Sequence, residues 1–139
     1  LKVMASGVTV DASLKDDFNA IKLGHKYAYM VFKIEGESQI KTERVAENST
    51  YEEFIGTLPP NECRYVVYDY KYTLDDGAKR EKLLFIHWAP DSARIRDKML
   101  YASSKDAIKK ELKGIVEIQA NDMSEVDEAA IKEKVKASG

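Results

Sequence analysis

Arg64-Tyr65-Val66-Val67-Tyr68-Asp69-Tyr70-Lys71-Tyr72, followed beyond a turn by Leu83-Leu84-Phe85-Ile86-His87-Trp88, decides the architecture. The first run holds four Tyr and two Val, side chains that suit a pleated surface. Asp75-Asp76-Gly77 supplies turn chemistry between the runs. The second run is apolar almost without a break, so it has no wet face. Such a pair predicts strands at the centre of a sheet, covered on both sides.

The covering layers come from the flanks. Leu14, Phe18 and Ile21 fall near helical spacing over residues 13–23, with Ser13 as N-cap and Gly24 as stop. Tyr27 to Ile34 is rich in strand formers, and Gly36-Glu37 turns into a second strand from Ile40 to Val45. Thr50 to Leu58 reads as a short helix opened by a Thr50/Glu53 capping box and ended by Pro59-Pro60. Ser92 to Leu112 and Ser124 to Lys136 read as two further helices, with an alternating strand from Ile115 to Gln119 between them. The fold class that follows is an α/β sandwich of the α+β type: a mixed central β-sheet with helices on both faces.

A chain of 139 residues with 44% hydrophobic and 33% charged residues has the composition of one globular domain. No repeat and no Pro/Gly/Ser-rich linker divides it. Leu1-Lys2-Val3 precede Met4, which looks like an initiator, so residues 1–3 read as a cloning remnant and 4–139 as a single domain. The lone Cys63 excludes an internal disulfide and a multi-thiolate zinc site, and a reducing compartment fits best. The longest apolar runs are far too short to span a bilayer.

Catalytic signatures are sparse. His25 and His87 are too few for a metal site, and His87 reads as a packed imidazole. The phosphate-binding loop, the dinucleotide fingerprint and the nucleophile elbow are all absent. Asp16-Asp17 and Asp75-Asp76 read as solvated acids in a cap and a turn.

Charge says more. From Lys79 to Lys113 there are ten basic and five acidic residues, a local excess of +5 in a chain of net charge -2, so the remainder carries -7. This segregation predicts a basic contact surface on a mildly acidic protein. On a helical wheel of residues 92–112, Lys98, Lys105 and Lys109 form one stripe with Arg94 close to it. Leu100, Ser104, Ala107 and Ile108 lie roughly opposite and suit the sheet. Ile95 and Met99 join neither group. They stand beside the cations, interleaved with Arg96, as apolar anchors in a basic ring do at an interface. Mid-helix Ser103-Ser104 predicts back-bonding to earlier carbonyls and a bend.

Several stretches together resemble the actin-depolymerising factor/cofilin family. They are Phe18-Asn19-Ala20-Ile21-Lys22-Leu23-Gly24, Cys63 to Tyr70, Trp88-Ala89-Pro90-Asp91-Ser92-Ala93 running into Lys98 to Lys110, and Ile118-Gln119-Ala120-Asn121-Asp122. The resemblance covers nearly the whole chain from Met4. It implies one actin-depolymerising-factor homology domain, no enzymatic activity and no cofactor or metal. The implied activity is binding of monomeric and filamentous actin, with severing and depolymerisation of filaments. The implied setting is the cytoplasmic actin cytoskeleton, with a monomeric protein that neither binds nucleic acid nor inserts into membranes.

By motif position, the resemblance implies an actin monomer and filament surface of Ala5, Ser6, Gly7, Arg94, Ile95, Arg96, Lys98, Met99, Ser104, Lys105, Ile108 and Lys109. A second surface, used on filaments only, maps to Lys79, Arg80, Lys82, Glu133 and Lys134. Ser6 occupies the position of an inhibitory phosphorylation site, where a phosphate adds nearly two negative charges. Phosphoinositide headgroups are expected at Lys79, Arg80, Lys82, Lys105, Lys109 and Lys110. The rival readings are a side-binder or sequesterer that does not sever, a phosphoinositide-binding adapter and, with least support, a small hydrolase.

Overall fold

The computed structural model describes residues 7–138. The elements run β1 (Thr9–Val10), α1 (Ala12–Lys22), β2 (Tyr29–Glu35), β3 (Gln39–Ala46), α2 (Tyr51–Ile55), β4 (Arg64–Thr73), β5 (Lys79–Trp88), α3 (Ile95–Lys109), β6 (Ile115–Ala120) and α4 (Glu128–Ala137). The strands form one six-stranded sheet in the order β1-β3-β2-β4-β5-β6. The sheet is mixed: β1–β3 and β5–β6 pair parallel, and the pairs between them are antiparallel. This is the layered α+β sandwich that the sequence pattern calls for.

Strand periodicity divides the core in two. Along β4, Tyr65 and Val67 face one layer, where they pack with Leu14, Phe18 and Ile21 of α1 and Tyr101 and Ile108 of α3. Val66, Tyr68 and Tyr70 face the other, with Tyr51 and Phe54 of α2 and Ile131 and Val135 of α4. From Cys63 to Tyr70 every residue is buried, as a central strand demands. Tyr51, Phe54 and Tyr68 interlock as rings, with centroids 5.0 to 5.6 Å apart.

Local chemistry explains the element ends. Thr50 caps α2 by accepting from the Glu53 amide at 3.1 Å. The expected final helix from Ser124 is split: Asp122 caps a single 3₁₀ turn (Met123–Glu125), and Asp127 starts α4 by accepting from the amides of Ala129 and Ala130. The long helix begins at Ile95, three residues later than expected. Ser92 does not cap it, because its hydroxyl donates to Pro60 O at 2.9 Å and lies 2.6 Å from Asn61 Oδ1. The helix also ends early, at Lys109. After Lys110, whose amide still bonds four residues back, the amides of Glu111 and Leu112 bond three residues back, and Gly114 takes φ +71°. The expected back-bond is present as Ser103 Oγ donating to Leu100 O at 3.2 Å, and α3 continues unbroken through it. The strand β1 escapes the sequence pattern because two residues show no periodicity. Backbone bonds from Thr9 N to Ser38 O and from Asp11 N to Ile40 O dock it.

Two features tie α3 to the sheet. Tyr101 Oη accepts from the Ile34 amide of β2 at 2.9 Å, and Tyr65 Oη of β4 donates to Tyr101 O. One side chain thus satisfies a strand amide while its own carbonyl is held by the next strand. His87, on β5 and opposite Tyr65, is packed as expected: it is 2% exposed. Neither of its ring nitrogens has a hydrogen-bond partner among the described residues, although Gln119 stands beside it on β6. Burial, helped by the charge of Lys105, pushes its pKa down to about 4.

Two outcomes follow for stability. Tyr101→Phe orphans the Ile34 amide and should cost about 1–3 kcal/mol in chemical denaturation, whereas an unchanged midpoint would remove the tie. The His87 imidazole is neutral when folded and titrates near 6.5 when unfolded. Its contribution is therefore complete above pH 6.5 and is lost as pH falls towards 4. His87→Phe should flatten that acid-side loss by about 3 kcal/mol in denaturation curves measured between pH 7 and 4. Parallel profiles for the two proteins would refute it.

Candidate docking surface

The sheet decides which side of α3 is free. Tyr101, Ser104, Ala107 and Ile108 are buried against it. Ile95 and Met99 lie one turn apart on the side facing solvent and are 72% and 66% exposed. They are the two most exposed large apolar side chains of this helix, and the chain's own interior covers neither. Lys98, Lys105 and Lys109 flank them on the side of the edge strand β6, and Arg96 and Lys110 flank them on the other. The apolar pair in a basic ring is therefore present in three dimensions.

Two residues leave this surface. Ser104 and Ile108, expected among the contacts, are each 0% exposed and belong to the core. Their wheel position had placed them facing the sheet, and the packing agrees with the wheel over the motif. Ala5 and Ser6 lie outside the described residues. Gly7 is exposed and adopts φ +70°, and the buried Val8 anchors the segment after it. β1 lies against α3, so the chain enters the fold beside the helix.

Most of the cations have internal partners. Arg96 Nη2 meets Glu37 Oε1 at 2.7 Å, between groups that are both more than half exposed. Glu37 holds φ +58° in the β2–β3 turn. Lys98 Nζ donates to Asp91 O at 3.1 Å. Lys105 and Lys109 each place Nζ 2.7 Å from a different oxygen of Glu117, on β6. Burial works against the Glu117 carboxylate, but the two lysine hydrogen bonds outweigh it and hold the carboxyl below the usual range.

The second expected surface is partly regrouped. In register, Tyr70 opposes Lys82, Tyr72 opposes Arg80 and Thr73 opposes Lys79. Arg80 and Lys82 therefore share the α2/α4 face, and Lys79 projects from the other. Tyr72, Leu74, Arg80, Lys82, Val135 and Lys136 line one groove between the β4–β5 hairpin and α4. The α4 cations lining this groove and its neighbour are Lys136 and Lys132, not Lys134. Glu133 and Lys134 are exposed on α4 outside both linings. The signal for the missed pair was the i, i+4 spacing of Lys132 and Lys136 beside the buried Val135.

Two further features are new. Met123 is 45% exposed and borders an apolar groove with Ile55, Leu58, Pro60, Trp88 and Pro90. That turn is fastened beside the start of α3 by Asp91 N donating to Asn121 O and Asn121 Nδ2 donating to Ala89 O. A single Met in a polar turn carries no sequence signal. His25, at φ +49°, places Nδ1 3.0 Å from buried Asp69 and Nε2 3.4 Å from Glu81. Its hydrogen bond with Asp69, then the Glu81 charge, raise its pKa above the ordinary value. The three side chains join the α1–β2 loop to the hairpin as a clip.

The family profile described as cofilin/tropomyosin-type actin-binding protein matches residues 7–136. Actophorin of Acanthamoeba castellanii is 46% identical over 134 residues, covering 94% of this chain and 96% of that protein. Cofilin of Mycosarcoma maydis is 42% identical over 137 residues, covering 97% and 99%. The crystal structure of Streptomyces griseoflavus cofilin superposes with a TM-score of 0.88 at 40% identity, covering 94% of this chain and 98% of that one. With the profile matched from Gly7 to Lys136 and the anchor-bearing helix inside it, the chain belongs to the cofilin/actin-depolymerising factor family of actin-binding proteins.

Proposed function

We propose that this protein binds actin monomers and filaments and drives filament severing and depolymerisation. Exposure of Ile95 and Met99 carries the reading: two large apolar side chains stand in water within a ring of cations. A large apolar pair exposed side by side and rimmed by charge marks a surface that a partner's cleft covers. Arg94, Arg96, Lys98, Lys105 and Lys109 take part in this contact, and by motif position Ala5, Ser6 and Gly7 join it. The relatives' names, cofilin and actin-depolymerizing factor, support the activity.

The groove between the β4–β5 hairpin and α4 is the filament-only contact in this reading. Its Arg80, Lys82, Lys132 and Lys136 form a second basic surface. Monomer binding alone has no use for it, so it favours severing over simple sequestration. Phosphoinositide headgroups compete at both basic surfaces, through Lys79, Arg80 and Lys82 on the hairpin and Lys105, Lys109 and Lys110 on α3. Phosphorylation of Ser6 opposes docking by adding nearly two negative charges to the segment that the motif assigns to the contact. The protein acts as a monomer in the cytoplasm.

The decisive experiment watches single fluorescent filaments while the protein is added. Breaks along their length support severing; shortening from the ends alone, or no change, overturns it. Lys105→Glu with Lys109→Glu should weaken binding to monomers and filaments alike, and unchanged affinity would take the flank out of the site. Arg80→Ala with Lys82→Ala should spare monomer affinity and reduce severing; equal losses in both assays would refute a separate filament surface. Met99→Ala should cost about 1–3 kcal/mol of monomer binding in titrations.

A further inference from the structure

Glu117 sits at an unusual place for a carboxylate. It is on the edge strand β6, opposite Phe85, and reaches across the flank of α3. Each of its oxygens takes one ammonium group, Lys105 on one and Lys109 on the other, both at 2.7 Å. The three side chains are only 24%, 37% and 32% exposed. The exposed Arg96–Glu37 pair is a weak constraint by comparison, because solvent screens it and both chains are free to move. The Glu117 triad is better shielded, and the i, i+4 spacing of its lysines matches a single bidentate acceptor.

The consequence is electrostatic. Three groups carrying net +1 present a muted charge to solvent, where two free lysines would present +2. Each ammonium still has donors left after one is used by Glu117. Such a lysine can share a carboxylate or carbonyl that a protein partner places at the right angle. It is less able to reorient fully onto a dense anion.

We propose that Glu117 is a positioning residue that sets specificity. It holds Lys105 and Lys109 in the geometry used for docking on actin, and as an internal counterion it weakens their attraction for clustered phosphates. The actin half of this inference rests on the docking role assigned to α3; the phosphate half does not.

Glu117→Gln tests it, with inositol hexakisphosphate and phosphoinositide-containing phosphatidylcholine vesicles as two phosphate probes and actin monomers as the protein probe. The two phosphate arms separate clustered phosphate as such from a membrane surface. Expected is phosphate binding about fivefold tighter for the one unit of positive charge unmasked, with a steeper salt dependence. Actin affinity should fall by about two- to fivefold as the lysines lose their register. Opposite movement of the two affinities is the signature, since a merely structural loss lowers both. No gain for either phosphate probe overturns the counterion role. A gain for phosphate without a loss for actin overturns the specificity role and leaves only a masking charge. Should Glu117→Gln disturb the fold by circular dichroism, Glu117→Asp tests the positioning role by itself: actin affinity should fall while phosphate binding stays near that of the unaltered protein, and unchanged actin affinity would overturn that role. This variant keeps the charge but is one methylene short of bridging both lysines.

Discussion

The packing of one side of α3 on the sheet is the constraint on which the rest depends. Tyr101 fills the layer between helix and strands, satisfies the Ile34 amide and has its own carbonyl held by Tyr65. Ser104, Ala107 and Ile108 continue the buried stripe. With that side spent on the core, helical geometry leaves no freedom over what stands opposite. Ile95 and Met99 must face water, and the cations must flank them. The exposed apolar pair and its cations are thus the remainder left by a packing problem.

The charges on that surface are organised by the neighbouring elements. Glu37 comes from the β2–β3 turn, Asp91 from the segment before α3 and Glu117 from β6. None is on the helix itself. The sheet therefore does more than support α3: Glu117 on its edge strand and Glu37 in the β2–β3 turn supply counterions, and the Asp91 carbonyl supplies a further acceptor. A partner that binds here exchanges contacts with groups already oriented, which limits the side-chain entropy lost on docking.

The hairpin obeys a different rule. β4 and β5 are buried while covered by helices and continue outward as a two-stranded arm beyond them. On that arm, strand alternation separates Lys79 from Arg80 and Lys82's shared face only because the period is two, and α4 closes one face alone. The His25 clip with Asp69 and Glu81 braces the arm from the other face. The two basic regions are thereby held apart, one on α3 and the other on the hairpin and α4.

Much of this was legible in the chain. Apolar density at both parities in 64–72 and 83–88 required a sheet buried on both faces, and periodicity placed the covering helices. The Ile95/Met99 anchors followed from their failure to join either stripe of the wheel. Those features depend on local spacing, which sequence carries directly. Ser104 and Ile108 show where a motif misleads: lying inside the motif does not put a side chain on the surface, and both are buried. The start of α3 shifted because Asn61 and Pro60, some thirty residues away in sequence, captured the Ser92 hydroxyl. Glu117 joined Lys105 and Lys109, and Lys132 and Lys136 joined Arg80 and Lys82, only once strands and helices were laid side by side. Element identity and the anchors were determined by the sequence itself, through periodic burial. The partners of each charge were decided by the tertiary structure, because an ion pair depends on distances across elements that no local pattern encodes.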